Sequence, residues 1–280
     1  MRRTTLAIAA LGSAALLAVT GCGSNSVQSL GNIQLSAAEA VAASAEKVQE
    51  VTSYTVDGVA NFNGGDSETG KVQGRMIYQG KPQLAVDINV DSASFGSQSL
   101  PGGARAILLG DTVYVKLDIL QKVAGATKPW IKVPLSEADK EGVDTGQLLG
   151  QVQQFDLANA TKMLSTSKDV KAVGTETVGG VETTHYSGTF PVDAAVAQLP
   201  AEAKERATRN FAELKNVKFD LWADAQSLPR KITLSGGDEH GKADLALEFK
   251  GFNEPADISA PPADQVGEFP KEALGRAAHN

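Results

Sequence analysis

Cysteine is almost absent from this sequence, which contains only Cys22 among its 280 residues. A chain with one cysteine forms no internal disulfide bond, so its core has to be held by packing. Histidine is also scarce, and the three residues His185, His240 and His279 fall in a predicted strand, a predicted turn and the C-terminal segment. No nucleophile, base or ligand set follows from these positions. We therefore predict no catalytic residue, no metal site, no cofactor and no enzymatic activity.

The chain lacks an excess of positive charge: 26 Lys and Arg residues face 33 Asp and Glu residues, for a net charge of −7. An acidic chain is not suited to nucleic acid or to a polybasic contact with a membrane. Asp220, Asp224, Asp238 and Glu239 cluster near predicted turns, but without the alternating oxygen ligands of a calcium loop. We interpret these four side chains as solvated.

Apolar runs long enough to span a bilayer are absent as well. Leu6 to Val19 forms a run of about 14 residues behind Met1-Arg2-Arg3, whereas a spanning helix needs roughly 20. This pattern is typical of a signal peptide, predicted over residues 1–21. Val19-Thr20-Gly21-Cys22 resembles the bacterial lipobox, which implies cleavage between Gly21 and Cys22 and lipid attachment at Cys22. We expect a protein anchored by lipid to the outer face of the cytoplasmic membrane.

Residues 22–35 contain no charge and are rich in Gly, Ser, Asn and Gln, which predicts a flexible tether. Ser36-Ala37-Ala38-Glu39 has the spacing of a capping box, and a helix to about Glu50 follows. We predict one folded domain over residues 36–266 and a disordered C-terminal tail over residues 267–280.

From Ser53 the hydrophobic pattern alternates with the period of two that half-buried strands show. The predicted strands run from Ser53 to Phe62, Val72 to Tyr78, Leu84 to Val90, Ala104 to Leu109, Thr112 to Leu117, Trp130 to Val133, Val170 to Thr177, Val181 to Phe190, Val217 to Ala223, Leu228 to Ser235 and Lys242 to Phe252. Helical spacing is found between Gly146 and Lys168, and again from Pro191 to Leu214. The predicted class is α+β, with an antiparallel sheet and helices packed on its concave face.

Aromatic residues are few, at 5% of the chain, so aliphatic and small side chains fill the space between sheet and helices. Such a layer can line an apolar cavity for acyl chains, although composition alone favours an ordinary filled core. The candidate cavity residues are Val41, Val48, Tyr54, Val56, Met76, Leu84, Val86, Ile88, Leu148, Val152, Phe155 and Phe211.

Asp91 to Gly103 is predicted as a long connection of small residues that carries Phe95 and Leu100. A loop of this length within a compact domain is commonly functional. We expect it to be a lid over the cavity mouth, together with Trp130, whose indole could stack on a lipid headgroup.

Three stretches carry a resemblance to a known family: residues 178–190 (VGGVETTHYSGTF), residues 219–230 with FDLWAD and LPR, and Ile258 to Pro262 (ISAPP). With the order of signal, lipobox, helix, meander, central helices and closing strands, they resemble the LppX and LprG lipoproteins of actinobacteria. That family is related in fold to the LolA and LolB lipoprotein carriers. The resemblance covers most of residues 36–266.

The resemblance implies a half-barrel sheet over a helix layer, with an apolar cavity that shields acyl chains of a lipid or glycolipid. Two function classes follow. The first is a non-enzymatic lipid carrier or chaperone of the cell envelope, and the second is a surface sensor or scaffold with a filled core. No residue set for a lipid headgroup or for an envelope protein partner can be assigned from the sequence.

Overall fold

The computed structural model describes residues 28–30, 33–64, 69–100, 102–117, 127–140, 145, 157–197, 204, 208, 216–237 and 241–268. The predicted signal peptide, Gly21 and Cys22 lie outside these residues, as do four cavity candidates, Leu148, Val152, Phe155 and Phe211. Within the described ranges, no helix combines the length and apolarity that crossing a membrane requires.

The first helix, α1, runs over Ala37–Lys47 and continues as one 3-10 turn over Val48–Glu50. Its capping box is formed as the sequence predicts: the Glu39 amide donates to Ser36 Oγ at 3.3 Å, and the Ser36 amide donates to Glu39 Oε2 at 2.8 Å. Two of the helix's first N–H groups thereby gain partners at its N-terminus. Val41 and Val48 point into the core, at 1% and 4% exposure.

Fifteen strands occur in the described residues. In chain order they are β1 Gln28–Leu30, β2 Ile33–Leu35, β3 Ser53–Gly64, β4 Thr69–Gln79, β5 Ala85–Phe95, β6 Gln98–Ser99, β7 Ala104–Leu109, β8 Thr112–Leu117, β9 Trp130–Pro134, β10 Lys171–Val178, β11 Val181–Pro191, β12 Asn216–Asp224, β13 Pro229–Gly237, β14 Gly241–Lys250 and β15 Val266–Glu268. Each predicted strand is present: β7 and β8 have the predicted bounds, and the bounds of the others differ by a few residues.

One large sheet has the strand order β10-β11-β12-β13-β14-β3-β4-β5-β7-β8-β9-β15, with β6 paired to β5. It consists of two antiparallel meanders that join where β14 pairs with β3, from Gly241 opposite Gly64 to Lys250 opposite Thr55. The sheet is open, because β10 ends the order on one side and β15 on the other. The predicted α+β class with an antiparallel sheet is confirmed.

Three further helices complete the described elements: α2 over Leu135–Lys140, α3 over Leu157–Leu164 and α4 over Val192–Ala197. Helices α1, α3 and α4 pack on one face of the sheet and form its main core with strands β3 and β11 to β14. Tyr186, Phe219, Leu221 and Ile232 are almost fully buried there. Burying a side chain of this size stabilises a fold by about 1.5–3 kcal/mol.

Two predicted segments differ from the structure near the chain ends. The predicted tether contains strands β1 and β2, paired from Gln28 opposite Leu35 to Leu30 opposite Ile33, and Leu35 packs against the main core. The predicted tail begins inside β15, which pairs in parallel with β9, Val266 opposite Trp130. A parallel partner so distant in sequence leaves no local signal, because nothing in a turn or a short loop specifies it.

The prediction of a loop over Asp91 to Gly103 is wrong. Strand β5 continues to Phe95, and Gln98–Ser99 turns back to pair with it as β6. Ser92, Ser94 and Gly96 interrupt the alternation of apolar residues, and this interruption is what predicts a loop. Pairing with β4 nevertheless extends β5 as far as Phe95. The sequence also gave no signal for α2, whose Leu135 and Ala138 are buried.

Candidate functional site

A continuous apolar surface follows strands β3, β4 and β5 on the face that carries the helices. Successive side chains of a strand alternate between faces, and the register places matching residues of the three strands side by side. We call this surface the apolar track; it consists of Tyr54, Val56, Gly58, Ala60 and Phe62 on β3, Tyr78, Met76, Gly74, Val72 and Gly70 on β4, and Val86, Ile88, Val90, Ala93 and Phe95 on β5.

A register shift in β5 keeps the track on one face. Gly74 lies opposite Val90, whereas the preceding residue Gln73 lies opposite Ser92, so Asp91 is an extra residue. An extra residue inverts the alternation beyond it. Ala93 and Phe95 consequently share a face with Val86, Ile88 and Val90, although their positions in the sequence have the opposite parity.

The side chains of the track are smallest in its middle. Gly58 and Gly74 lie opposite one another, and the next row pairs Ala60 with Val72. A Cβ atom at Gly74 would collide with the carbonyl oxygen of Asn89. At about 3.4 Å per residue, the eight steps from Tyr54 to Phe62 span about 27 Å. The track is therefore a shallow trough with larger side chains at each end.

Burial decreases along the track. Tyr54, Val56 and Val86 are buried, and Tyr54 stacks on Tyr78 with ring centroids 5.1 Å apart. Met76 and Ile88 are half-buried. At the far end Phe62 and Phe95 are exposed by 42% and 58%. One end thus joins the filled core, and the other reaches solvent.

Beyond β5 the same face continues onto β7 and β8 through Val86 opposite Leu108 and Leu108 opposite Val113. A second, smaller core cluster forms here from Val86, Leu108 and Leu135, the last of them on α2. Leu84, Ile88 and Val113 pack against this cluster but remain half-buried. In the described residues, apolar cover over this half of the sheet is thinner than over the other half.

The predicted cavity residues divide between these two environments. Val41, Val48, Tyr54 and Val56 belong to the main core, which α1, α3 and α4 fill. Met76, Leu84, Val86 and Ile88 belong to the smaller cluster or pack against it, and Met76 contacts both clusters. The structure thus brings part of the predicted set to one half-covered surface.

Of the predicted mouth residues, Phe95 lies in strand β5 and Leu100 follows β6, with its amide donating to the carbonyl of Ala93 at 2.8 Å. The structure does not place Trp130 with them. Trp130 lies opposite Lys116 in β8 and is buried at 6% exposure, with the guanidinium of Arg105 5.7 Å from the indole centroid. Lys116 and Arg105 alternate with the track-side residues, so Trp130 faces away from the track.

The opposite face of the sheet carries paired charges beside buried apolar side chains, among them Ile107 and Trp130. Arg105 Nε donates to Asp87 Oδ1 at 2.9 Å and its Nη2 lies 2.5 Å from Oδ2, while the Asp87 carboxylate is buried. The hydrogen bonds that Arg105 donates to Asp87 raise the pKa of Arg105 above its ordinary value, against the effect of partial burial. Asp57 makes exposed ion pairs with Arg75 and Lys250 on this face. These charges are arranged as structural pairs.

Two clefts open near the ends of the strands. One, of about 600 Å³, is lined by Gln79, Gln83, Leu84, Ala85, Leu109, Gly110, Asp111 and Ile258. The other, of about 620 Å³, lies between the end of α1 and the turn at Gln226, Ser227 and Leu228. Both linings mix polar and apolar groups, and the first contains one predicted cavity residue, Leu84. Among the described residues no group of three or more His, Cys, Asp or Glu side chains is arranged to hold a metal ion.

The fold and the track define an open antiparallel sheet protein with an apolar, partly covered face. No family model matches the chain. The chain is 28% identical over 179 residues to an uncharacterised 31.2 kDa protein of Streptomyces griseus, a match that covers 62% of this chain. It is 27% identical over 173 residues, or 61% of this chain, to a Streptomyces coelicolor protein named as a candidate lipoprotein. These matches span only 58% and 52% of the relatives' own lengths.

Among solved structures, the chain is similar to the lipoprotein LppX of Mycobacterium tuberculosis, with 16% identity and a TM-score of 0.44 over 80% of this chain and 98% of LppX. It is also similar to LprF of Mycobacterium bovis, with 13% identity and a TM-score of 0.48 over 81% of this chain and 97% of LprF. LppX is a member of the lipoprotein family that the sequence motifs resemble.

Proposed function

We propose that this chain is a lipid-anchored protein of the cell envelope that binds an acyl-chain lipid or glycolipid along the apolar track and carries or shelters it. The observation that carries the proposal is the half-buried apolar row at Met76 and Ile88, which continues from a filled core toward an exposed end. A sheet face of this kind gains stability when an apolar partner covers it.

The track favours hydrocarbon over a polar ligand. Its fifteen positions are apolar side chains, tyrosines or glycines, and none of them is charged. Each methylene group that leaves water contributes about 0.8 kcal/mol, so an acyl chain can be held without any directional contact. The track is about 27 Å long, which is close to the ~30 Å thickness of a bilayer's hydrocarbon core. One acyl chain of ordinary length spans about half of that core, so the track is long enough to hold it.

The predicted anchor at Cys22 limits where such a lipid could be exchanged. Cys22 lies six positions before the start of β1 at Gln28, and an extended chain spans at most about 3.6 Å per residue, so the protein would act beside the membrane that holds it. The mechanism is then non-covalent: on binding, protein side chains replace the water around the acyl chain, and on release water replaces the side chains again. The candidate lipoprotein of Streptomyces coelicolor supports the anchored location.

The decisive experiment is native mass spectrometry with organic extraction on residues 22–280 carrying Cys22→Ser, purified from a lipid-rich host. We expect near-stoichiometric lipid, and we expect Ile88→Trp to displace it by filling the half-covered row. Ile77→Trp is the matched control, because Ile77 is also half-buried but lies opposite Asp87 on the face of the sheet away from the track.

Two results would contradict the proposal that the protein carries lipid. One is empty protein that also takes up no envelope lipid extract, and the other is equal lipid loss from both tryptophan variants. Either would favour a sensor or scaffold with a filled core, the alternative for which the packed half of the sheet around Tyr186 and Phe219 provides the structural basis.

A further inference from the structure

Three large apolar side chains stay exposed among the described residues: Phe62, Phe95 and Val173. Two of them are neighbours. The rings of Phe62 and Phe95 have centroids 6.4 Å apart and planes inclined by 27°. They lie at the far ends of β3 and β5, on the face of the apolar track. Val173 lies alone on the edge strand β10.

Gly70 makes the contact between these two rings possible. It lies on β4 directly between Phe62 and Phe95 in the register. A Cβ atom at this position would be 2.9 Å from Phe95 Cδ1 and 3.4 Å from Phe62 Cδ2. Because glycine has no side chain there, the rings close over the backbone of β4 and form one apolar platform across three strands. We call Phe62, Gly70 and Phe95 the aromatic rim.

The surroundings of the rim carry little charge. Residues 61–64, 69–71 and 94–99 contain one charged side chain, Lys71, and are otherwise Asn, Ser, Thr, Gln, Gly and Phe. On the neighbouring strand β14, Lys242 and Asp244 lie opposite Asn63 and Asn61, and their opposite charges balance. Aromatic rings bordered by neutral polar groups are suited to the interface between headgroups and acyl chains.

The rim is also too small for a stable protein interface. A phenylalanine buries at most about 150–250 Å², and both rings are already partly covered. A stable protein complex buries about 800 Å² on each partner, so a second copy of the chain would gain too little. A bilayer imposes no such minimum, because an exposed ring can insert between lipids without a matching surface.

We propose that the aromatic rim docks on a phospholipid bilayer with neutral headgroups, and that docking aligns the open end of the apolar track with the acyl chains. This inference rests on the proposed lipid-binding function for its purpose, and it adds the surface through which lipid would enter or leave. Ala60, Val72 and Ala93 form the next row inward, so the apolar path from rim to core is continuous.

Flotation with phosphatidylcholine vesicles tests the rim, again with residues 22–280 carrying Cys22→Ser, a chain that retains every described residue. We expect Phe62→Ser together with Phe95→Ser to weaken the vesicle partition coefficient about tenfold, because two exposed rings are lost. Val173→Ser is the matched control and should change it by less than about twofold. Phe62→Trp with Phe95→Trp should preserve binding, since indoles also favour the interface.

Charge gives a second arm of the test. Replacing part of the phosphatidylcholine by anionic phosphatidylglycerol should weaken binding at low salt, because the whole chain is net negative. We call the double variant Phe62→Ser with Phe95→Ser the serine pair. Equal loss of vesicle binding in the serine pair and in the Val173→Ser control would overturn the proposal that the rim docks on a bilayer. Unchanged binding in the serine pair would also overturn it, as would concentration-dependent dimers of the parent chain that are absent in the serine pair.

Uptake of a monomeric fluorescent fatty acid separates this inference from the proposed function. Uptake that survives in the serine pair while vesicle binding falls supports both the track and the rim. Rim-dependent vesicle binding by a protein that takes up no fatty acid would overturn the proposed function and support the rim as a membrane contact. Thermal melting of each variant shows whether its sheet is intact.

Discussion

The imidazole of His185 lies flat against the indole of Trp222, with ring centroids 4.2 Å apart and ring planes inclined by 10°. Its Nδ1 lies 3.1 Å from Glu176 Oε1 and its Nε2 lies 2.9 Å from Asp220 Oδ1. The indole Nε1 donates to Glu176 Oε2 at 3.0 Å. A protonated imidazole can donate to both carboxylates at once, whereas the neutral ring can donate to only one. The network joins β10, β11 and β12 on the polar face of the sheet.

Asp220 should make stability depend on pH in the acid range. Burial opposes its ionisation, but hydrogen bonds from Ser187 and His185 outweigh burial and lower the pKa of Asp220. A lowered pKa stabilises the fold above the carboxyl's unfolded pKa of about 3.9, and the gain is lost as pH falls through the folded value. Thermal melting between about pH 2 and pH 6 should show a smaller loss in Asp220→Asn than in the parent chain. Asp257→Asn, at an exposed position, should retain the parental dependence.

Asp224 should be far more important to stability than exposed Asp57. Asp224 is 3% exposed and accepts from the amides of Gln226 and Leu228 at 2.8 and 3.0 Å. It also pairs with Arg230 at 2.7 Å, so our interpretation of Asp224 and Asp220 as solvated residues is wrong. We expect Asp224→Ala to cost about 3–5 kcal/mol, because Arg230 loses its partner.

For comparison, Asp57→Ala should cost about 0–1 kcal/mol, since its ion pairs with Arg75 and Lys250 are solvent-exposed. Urea denaturation of both variants measures the two free energies of unfolding. Similar losses for the two would contradict the structural role of Asp224.

The cap of α1 provides a smaller, local prediction. Ser36→Ala removes the oxygen that accepts from the Glu39 amide, and a lost serine cap costs about 1 kcal/mol. Urea denaturation should detect this loss, whereas Ser165→Ala, at an exposed position after α3, should change stability by less than about 0.5 kcal/mol. A neutral Ser36→Ala variant would mean that packing alone fixes the start of α1.

Gly103 should tolerate alanine less well than Gly179. Both have positive φ, +68° and +57°, in which a side chain is strained by roughly 1–2 kcal/mol. At Gly103 the added Cβ would also collide with the carbonyl oxygen of Val90, whereas at Gly179 nothing lies within 4 Å. We expect Gly103→Ala to lower the free energy of unfolding by at least about 1 kcal/mol more than Gly179→Ala. Equal losses would show that the backbone near Val90 yields without cost.

Local pattern was sufficient for most of the fold. Alternation of apolar residues placed β7 and β8 with the observed bounds, and the Ser36 to Glu39 spacing placed the start of α1. Such signals are short in range, because side-chain periodicity and capping involve residues close in the chain. For the same reason Met76 and Ile88 could be identified as one-sided apolar positions before their neighbours were known.

The candidate site depended on relationships that no local pattern contains. The extra residue Asp91 turns Phe95 toward the track, and Trp130 falls on the other face of its strand. A shift of one residue reverses which face a side chain occupies, so a correct strand prediction can still give a wrong surface. The prediction of a lid loop failed here, since β5 pairs with β4 over its whole length.

Local patterns in the sequence predict an export signal, and they were enough to locate the start of α1 and the strands and to reveal how few residues are suited to catalysis. Three relationships emerge only in the folded protein: the pairing of β14 with β3, the parallel pairing of β15 with β9, and the contact of Phe62 with Phe95 across Gly70. The physical reason is the distance along the sequence over which each interaction acts. Propensity, capping and alternation act over a few residues, whereas pairing between distant strands is chosen by the free energy of covering the whole apolar face.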